Sequence, residues 1–338
     1  MAAQSAFITG LSGARLTDDE CRFLSDARPA GIILFKRNCE SPQQVAALVE
    51  AARDAACDDM LVLIDQEGGR VQRLGPPHWR ALPSAAAFAG LHAVDPARAR
   101  DAAWKVAWLT ARDLTRLRIT MNCAPVADLP VPGAHDIIGN RAYGTDVATV
   151  TSLARAVAEG LMAGGAVPVM KHIPGHGRAG ADSHLALPVV ATDRATLSAT
   201  DFACFRALAD LPAAMTAHVV FSDIDADQPA STSEIVIRDV IRTDIGFDGL
   251  LMSDDLSMKA LAGPMRARAE AVIRAGSDLA LHCNGDLSEM HDVAAGAPPL
   301  AGRSAQRFAA CLAITRRYNP YDGRKAEAAL ASMLAAGA

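Results

Sequence analysis

Lys171 to His184 reads Lys-His-Ile-Pro-Gly-His-Gly-Arg-Ala-Gly-Ala-Asp-Ser-His, and it holds three of the chain's nine histidines, together with a lysine, an aspartate and three glycines. An unperturbed imidazole titrates near pH 6.5, so it both gives and takes a proton near neutrality. Within the stretch, Asp182-Ser183-His184 is the pair most suited to proton transfer. In extended or loop backbone, residues two apart point the same way, so the Asp182 carboxylate is placed to orient the His184 imidazole and to stabilise its protonated form. On a helix the two side chains would diverge and the argument would fail. The bland alternative is a polar surface loop, and the glycine-rich setting weighs against it.

A second group is Ser253-Asp254-Asp255-Leu256-Ser257-Met258, where two adjacent aspartates follow the apolar Gly249–Met252. A carboxylate at a strand end serves as nucleophile, base or metal ligand, or merely caps a helix. Because strand side chains alternate, one of the two is expected to face the site. Lys171 and His172 end the run Ala166–Met170; the lysine suits a hydroxyl-rich ligand or a neighbouring carboxylate. Arg73 and Arg141 are the arginines placed to clamp a ligand oxygen. His176, between two glycines, reads as support for the loop rather than as chemistry.

These groups need a frame that gathers them. Eight short apolar runs, Ala6–Thr9, Gly31–Phe35, Met60–Ile64, Ile119–Ala124, Ala166–Met170, Ala213–Thr216, Gly249–Met252 and Asp278–His282, read as strands. Most lack polar alternation, as expected of a parallel sheet buried on both faces. Helical patterns lie between many of them. After Asp146, a capping residue, Val150, Leu153, Val157 and Leu161 recur at helical spacing until Gly164-Gly165. Arg194–Leu208 and Ser233–Arg242 read as helices too. The expected fold is therefore α/β: a (β/α)8 TIM barrel in a single catalytic domain over residues 1–338, with a helical C-terminal extension from Ala301–Arg317 to Ala326–Ala336. Barrel active sites lie at the C-terminal ends of the strands. Polar residues cluster there: Asp65, Glu67, Arg70 and Arg73 after the third run, Asp128 after the fourth, His218 after the sixth, and Asn284 and Asp286 after the eighth.

Composition bounds the partners. With 338 residues, 51% hydrophobic, a net charge of −5 and a pI near 6.0, nothing points to nucleic acid or an anionic membrane surface. No leader-like segment begins the chain, and no apolar run approaches the length that spans a bilayer. Seven scattered cysteines without Cys-x-x-Cys read as reduced thiols of a cytoplasmic protein rather than as a disulfide framework or zinc site.

Taken together, Lys171-His172-Ile-Pro-Gly-His-Gly, Asp182-Ser183-His184 and Ser253-Asp254-Asp255-Leu256-Ser257-Met258 resemble the single-domain bacterial β-N-acetylhexosaminidases of glycoside hydrolase family 3, the cytoplasmic enzymes of peptidoglycan recycling. Gly31–Asn38, Ile64–Arg73, Ala124–Asp128 and Met215–His218 extend the resemblance to about residues 5–290. It implies that Asp254 is the nucleophile of a retaining hydrolysis, His184 the general acid/base and Asp182 its partner. It also implies that Asp65, Arg73, Arg141, Lys171 and His172 bind sugar, that no metal or cofactor is needed, and that the substrate is a muropeptide ending in β-linked N-acetylglucosamine. Ile173 stands where phenylalanine is common, and Thr216 where proline or serine also occurs; neither touches the chemistry. A monomer is expected. Two readings from other classes remain: a metal-dependent barrel hydrolase using His172, His176, His184, His218 and Asp254, and a non-catalytic carbohydrate-binding barrel. A β-glucosidase of the same family is disfavoured by the Asp-x-His pair.

Overall fold

The computed structural model describes residues 3–181, 183, 186–317 and 321–336. Eight parallel strands close into a barrel: β1 (Ser5–Gly10), β2 (Pro29–Leu34), β3 (Leu61–Ile64), β4 (Met121–Asn122), β5 (Val167–Ile173), β6 (Ala213–Thr216), β7 (Leu250–Asp255) and β8 (Leu279–His282). Each strand pairs with its sequence neighbour, and β1 closes the ring on β8. The continuous apolar runs follow from this geometry. One face of each strand points into the barrel and the other against the helices, so Leu61–Ile64 and Ala213–Thr216 are buried throughout. The inner layers come from Ile8, Ile33, Leu63, Met121, Val169 and Met252. Each such side chain contributes about 1.5–3 kcal/mol relative to exposure.

All eight expected strands form, with shifted ends. The fourth is shorter than its apolar run, although ladder-like bonds continue on either side of it: Thr120 N–H donates to Val62 O and Cys123 N–H to Ile64 O, both at 2.9 Å. The fifth runs past Met170 to take in Lys171 and His172.

The helices α1 (Asp18–Ala27), α2 (Pro42–Ala55), α3 (Ala85–Val94), α4 (Pro96–Thr115) and α5 (Val147–Ala163) precede β5. Helix α1 starts with a reciprocal cap: Thr17 Oγ1 accepts from Glu20 N–H, and Glu20 Oε2 accepts from Thr17 N–H. Asp146 caps α5 as expected, accepting from Thr149 N–H at 2.9 Å, and Gly164 ends it.

Arg194–Leu208 is not one helix but two, α6 (Arg194–Ala199) and α7 (Asp201–Arg206), broken at Thr200. The Thr200 hydroxyl bonds back to Thr196 O at 2.7 Å, and Asp201 is buried against Arg178 Nε at 2.6 Å. That tertiary ion pair overrides helical propensity. Ser233 caps the next segment through Val236 N–H, but Val236–Asp244 adopts π-helical winding, and Thr243 Oγ1 donates five residues back to Arg238 O. Helices α8 (Met265–Ala275) and α9 (Leu287–Gly296) flank β8, followed by α10 (Gly302–Thr315) and α11 (Gly323–Ala336), close to the expected extension.

Candidate active site

A cavity of about 260 Å³ opens at the C-terminal ends of the strands, where barrel chemistry resides. Asp65, Arg73, Arg141, Lys171, His172 and Asp254 all line it. Asp182 and His184 lie outside the described residues, whereas Ser183 between them is buried and lines the same cavity.

One wall is an ion network. Lys171 Nζ sits 2.8 Å from Asp65 Oδ1 and 2.7 Å from Glu67 Oε1. Arg73 reaches Asp65 Oδ2 at 3.0 Å, and its guanidinium lies 5.2 Å from the centre of the Phe35 ring. Arg141 grips Glu67 with two bonds, Nε to Oε2 at 2.9 Å and Nη2 to Oε1 at 2.8 Å. Burial by itself would raise the Asp65 and Glu67 carboxyls. The cations overcome it, Lys171 and Arg73 at Asp65, Lys171 and Arg141 at Glu67, and both stay below the ordinary carboxylate range. Burial likewise works against charged Lys171, but the two carboxylates hold it firmly protonated. The network therefore offers fixed, ionised acceptors and donors to a ligand rich in hydroxyls.

Local backbone makes this wall. After Asp65 the chain forms a hairpin, Gln66–Gly68 against Val71–Gln72. Its turn needs Gly68 (φ 100°) and Gly69 (φ 57°), where a side chain would be strained. Arg141 sits in a single 3₁₀ turn, Gly139–Arg141, and Arg70 bonds to the carbonyls of Asp136, Ile137 and Ile138 just before it.

The floor carries the histidines. Lys171 and His172, joined by a cis peptide, both reach the cavity. His172 Nδ1 lies 2.6 Å from Asp128 Oδ2. Burial would raise the Asp128 carboxyl, but the imidazoles of His172 and His176 and the His176 N–H bring it below its ordinary value. His218 is fully buried; Nδ1 pairs with Ser231 Oγ at 2.7 Å and Nε2 with the Asp255 carbonyl at 3.0 Å. Burial lowers its pKa, outweighing the nearby Asp254 and Asp255.

Asp254 closes the site at the end of β7. Its Oδ1 accepts Asp255 N–H at 2.8 Å, and its carboxylate accepts no other hydrogen bond among the described residues. Burial pushes its pKa up, yet His172, His218, the Asp255 N–H and Lys171 together bring it below the ordinary value. It is an ionised and underused carboxylate, as a nucleophile must be. Both aspartates line the cavity, contrary to the expectation that one would. A register irregularity between Met252 and Asp255 disturbs the alternation. Asp255 is nonetheless spent on structure, accepting from the Ser257 hydroxyl, Ser257 N–H and Cys283 N–H. Ile33, Met215, Met258 and Leu281 also line the cavity and give it apolar surface. A site with a few convergent polar groups and an apolar face suits a sugar ring.

Asn284 and Asp286 do not join the site: Asn284 bonds to Glu289, and Asp286 caps α9. Among the described residues, no group of three or more His, Cys, Asp or Glu side chains is placed to hold a metal ion. Two residues given no role in the sequence reading matter. Glu67 anchors Arg141 and Lys171; it stands two positions after Asp65, a spacing that puts both on one side of an extended segment. Asp128 orients His172, a pairing across 44 residues that no local pattern signals.

Residues 5–300 match the glycosyl hydrolase family 3 N terminal domain. The chain is 41% identical over 279 residues to a beta-hexosaminidase of Alkalilimnicola ehrlichii, covering 81% of this chain and 79% of that one. It is 39% identical over 283 residues to a beta-hexosaminidase of Bordetella pertussis, covering 82% and 80%. Among solved structures it resembles NagZ from Neisseria gonorrhoeae in complex with N-trifluoroacetyl-D-glucosamine, with a TM-score of 0.87, 32% identity and 98% of each chain covered.

Proposed function

This chain belongs to glycosyl hydrolase family 3 and is a β-hexosaminidase, and on that premise we propose that it releases terminal β-linked N-acetylglucosamine with retention, using Asp254 as nucleophile. The observation that carries this reading is the Asp254 carboxylate: buried, held ionised by His172, His218 and Lys171, and tied by one backbone bond alone among the described residues. Asp65, Arg73, Arg141, Lys171 and His172 hold the sugar at the strand ends, with Glu67 and Asp128 fixing three of them.

In the first step Asp254 attacks the anomeric carbon while His184, backed by Asp182, gives a proton to the departing glycosidic oxygen. In the second, His184 takes a proton from water, which attacks the anomeric carbon and frees Asp254. Retaining glycosidases commonly use two carboxyl groups about 5–5.5 Å apart. A second carboxyl beside ionised Asp254 would be raised by like charge, whereas an imidazolium is attracted to it. A histidine is thus a physically reasonable acid here.

The natural substrate in this reading is a muropeptide in which N-acetylglucosamine is joined to 1,6-anhydro-N-acetylmuramic acid, met during peptidoglycan recycling. The catalytic unit is one barrel domain acting as a cytoplasmic monomer without metal or cofactor. Seven free cysteines accord with a reducing compartment, and no helix among the described residues is long and apolar enough to cross a membrane. Hydrolysis of a chromogenic β-N-acetylglucosaminide by wild type and by His184→Ala tests the reading. The variant should lose most on substrates with poor leaving groups; equal rates for both proteins on every leaving group would remove His184 from the chemistry.

A further inference from the structure

We propose that His176 is a positioning residue that ties the segment carrying Asp182 and His184 to the sugar-binding floor, through Ser183 on one side and Asp128 on the other. The inference rests on the dyad reading above for its catalytic consequence, though not for the contacts themselves.

His176 Nε2 lies 3.2 Å from Ser183 Oγ, and both residues are buried. In the sequence Ser183 stands between the two members of the dyad, so the contact to its hydroxyl falls within the segment that carries them. On its other side, His176 N–H donates to Asp128 Oδ1 at 2.7 Å. The same oxygen accepts His172 N–H at 3.2 Å, while Asp128 Oδ2 holds the His172 ring. The two imidazoles meet edge to face with centroids 5.5 Å apart. One carboxylate thus sets both the sugar-facing histidine and the histidine that grips the loop. Directly after His176, Gly177 packs so closely that a Cβ would stand 2.1 Å from Leu129 O, which fixes the path of the chain there.

The ring's chemistry fits a holding role. Burial, helped by the nearby His172 imidazole, lowers its pKa to about 4, so it is neutral under working conditions and carries one N–H. Among the described residues, Nδ1 is buried without a hydrogen-bond partner. An orphaned donor is rarer and costlier than an orphaned acceptor, so the proton belongs on Nε2, which donates to Ser183 Oγ. His176 then has no proton to trade, and its role is to hold.

The test compares His176→Phe, His176→Gln and Ser183→Ala with wild type and with His184→Ala. Two β-N-acetylglucosaminides are used, one with a dinitrophenyl and one with an alkyl leaving group. A general acid contributes about 10²–10⁴-fold, and misplacing it should forfeit part of that. His176→Phe and Ser183→Ala should lower kcat/KM on the alkyl glycoside by about 10- to 100-fold while sparing the dinitrophenyl substrate. His176→Gln, which keeps an N–H near the Nε2 position, should restore much of the loss. Combining His176→Phe with Ser183→Ala should add little. Hydrogen exchange across residues 177–187 should quicken in His176→Phe whatever His184→Ala does. If exchange is unchanged, or Ser183→Ala leaves both substrates untouched, the tether is wrong. If His184→Ala shows no leaving-group dependence while exchange quickens in His176→Phe, the tether stands and the acid assignment fails.

Discussion

Glu67→Gln is the sharpest probe of the ion network, because it changes one atom and almost no volume. Glu67 makes three charge-assisted contacts, at 2.8 and 2.9 Å to Arg141 and 2.7 Å to Lys171. The side chains of Glu67, Arg141 and Lys171 are 7%, 11% and 3% exposed, so water cannot take over. Glutamine keeps one accepting oxygen and turns an NH₂ toward a cation. Lys171 is left with Asp65 as its remaining carboxylate, and Arg141 loses its paired grip. Removing one partner of a buried ion pair costs about 3–5 kcal/mol, and the retained oxygen places this variant near 3 kcal/mol. In urea, with a slope of roughly 3 kcal/mol/M for a large domain, the midpoint should fall by about 1 M. On the sugar-holding role proposed for Arg141 and Lys171, their release misplaces the substrate, and a displacement near 1 Å is worth about 10²-fold in kcat/KM. Urea unfolding and a chromogenic N-acetylglucosaminide assay read the two effects. A midpoint unchanged within error together with kcat/KM within twofold of wild type would refute the argument that Glu67 organises this wall.

Other expectations follow from single contacts. His176 is held down at about 4 from 6.5 by burial and the His172 imidazole, with Asp128 and Asp254 acting in the opposite sense. As pH falls through that window the unfolded chain binds a proton that the folded chain refuses, so stability drops by on the order of 3 kcal/mol by pH 4. Asp65, Glu67, Asp128 and Asp254 are all depressed, so what they contribute is complete above the unfolded carboxyl range near 4 and fades below it. Urea midpoints between pH 7.5 and 3 should show both declines, and a flat profile would contradict them. Gly177→Ala should cut activity far more than Gly180→Ala, since the first Cβ meets Leu129 O at 2.1 Å and the second meets nothing within 4 Å among the described residues; equal activities measured by the same assay would argue against a fixed path here.

The barrel was legible because burial on both faces of a strand demands unbroken apolar runs, and Leu61–Ile64 or Ala213–Thr216 can hardly be read otherwise. What local pattern missed was set by distant partners. Thr200 breaks a helix because its hydroxyl turns back on Thr196 and Asp201 is drawn into the interior by Arg178, 23 residues away. Within the site, Asp65, Arg73, Arg141, Lys171, His172 and Asp254 meet in one cavity, as their positions after barrel strands imply. The partners that tune them were harder to see. Glu67 was readable from its spacing to Asp65. The Asp128–His172 and His218–Asp255 pairs exist because the closing barrel brings β4 to β5 and the chain after β6 to the end of β7. Local pattern alone does not separate Asp255 from Asp254; the difference is that the Asp255 carboxylate is spent on Ser257 and Cys283.

The central claim is that Asp254 forms a bond to the sugar. Incubating the protein with an activated 5-fluoro N-acetylglucosaminyl donor and mapping the product by peptide mass spectrometry tests it directly. A single glycosyl adduct on the peptide containing Asp254, absent from Asp254→Asn, is the expected result. An adduct on another residue, or undiminished turnover by Asp254→Asn, would contradict it.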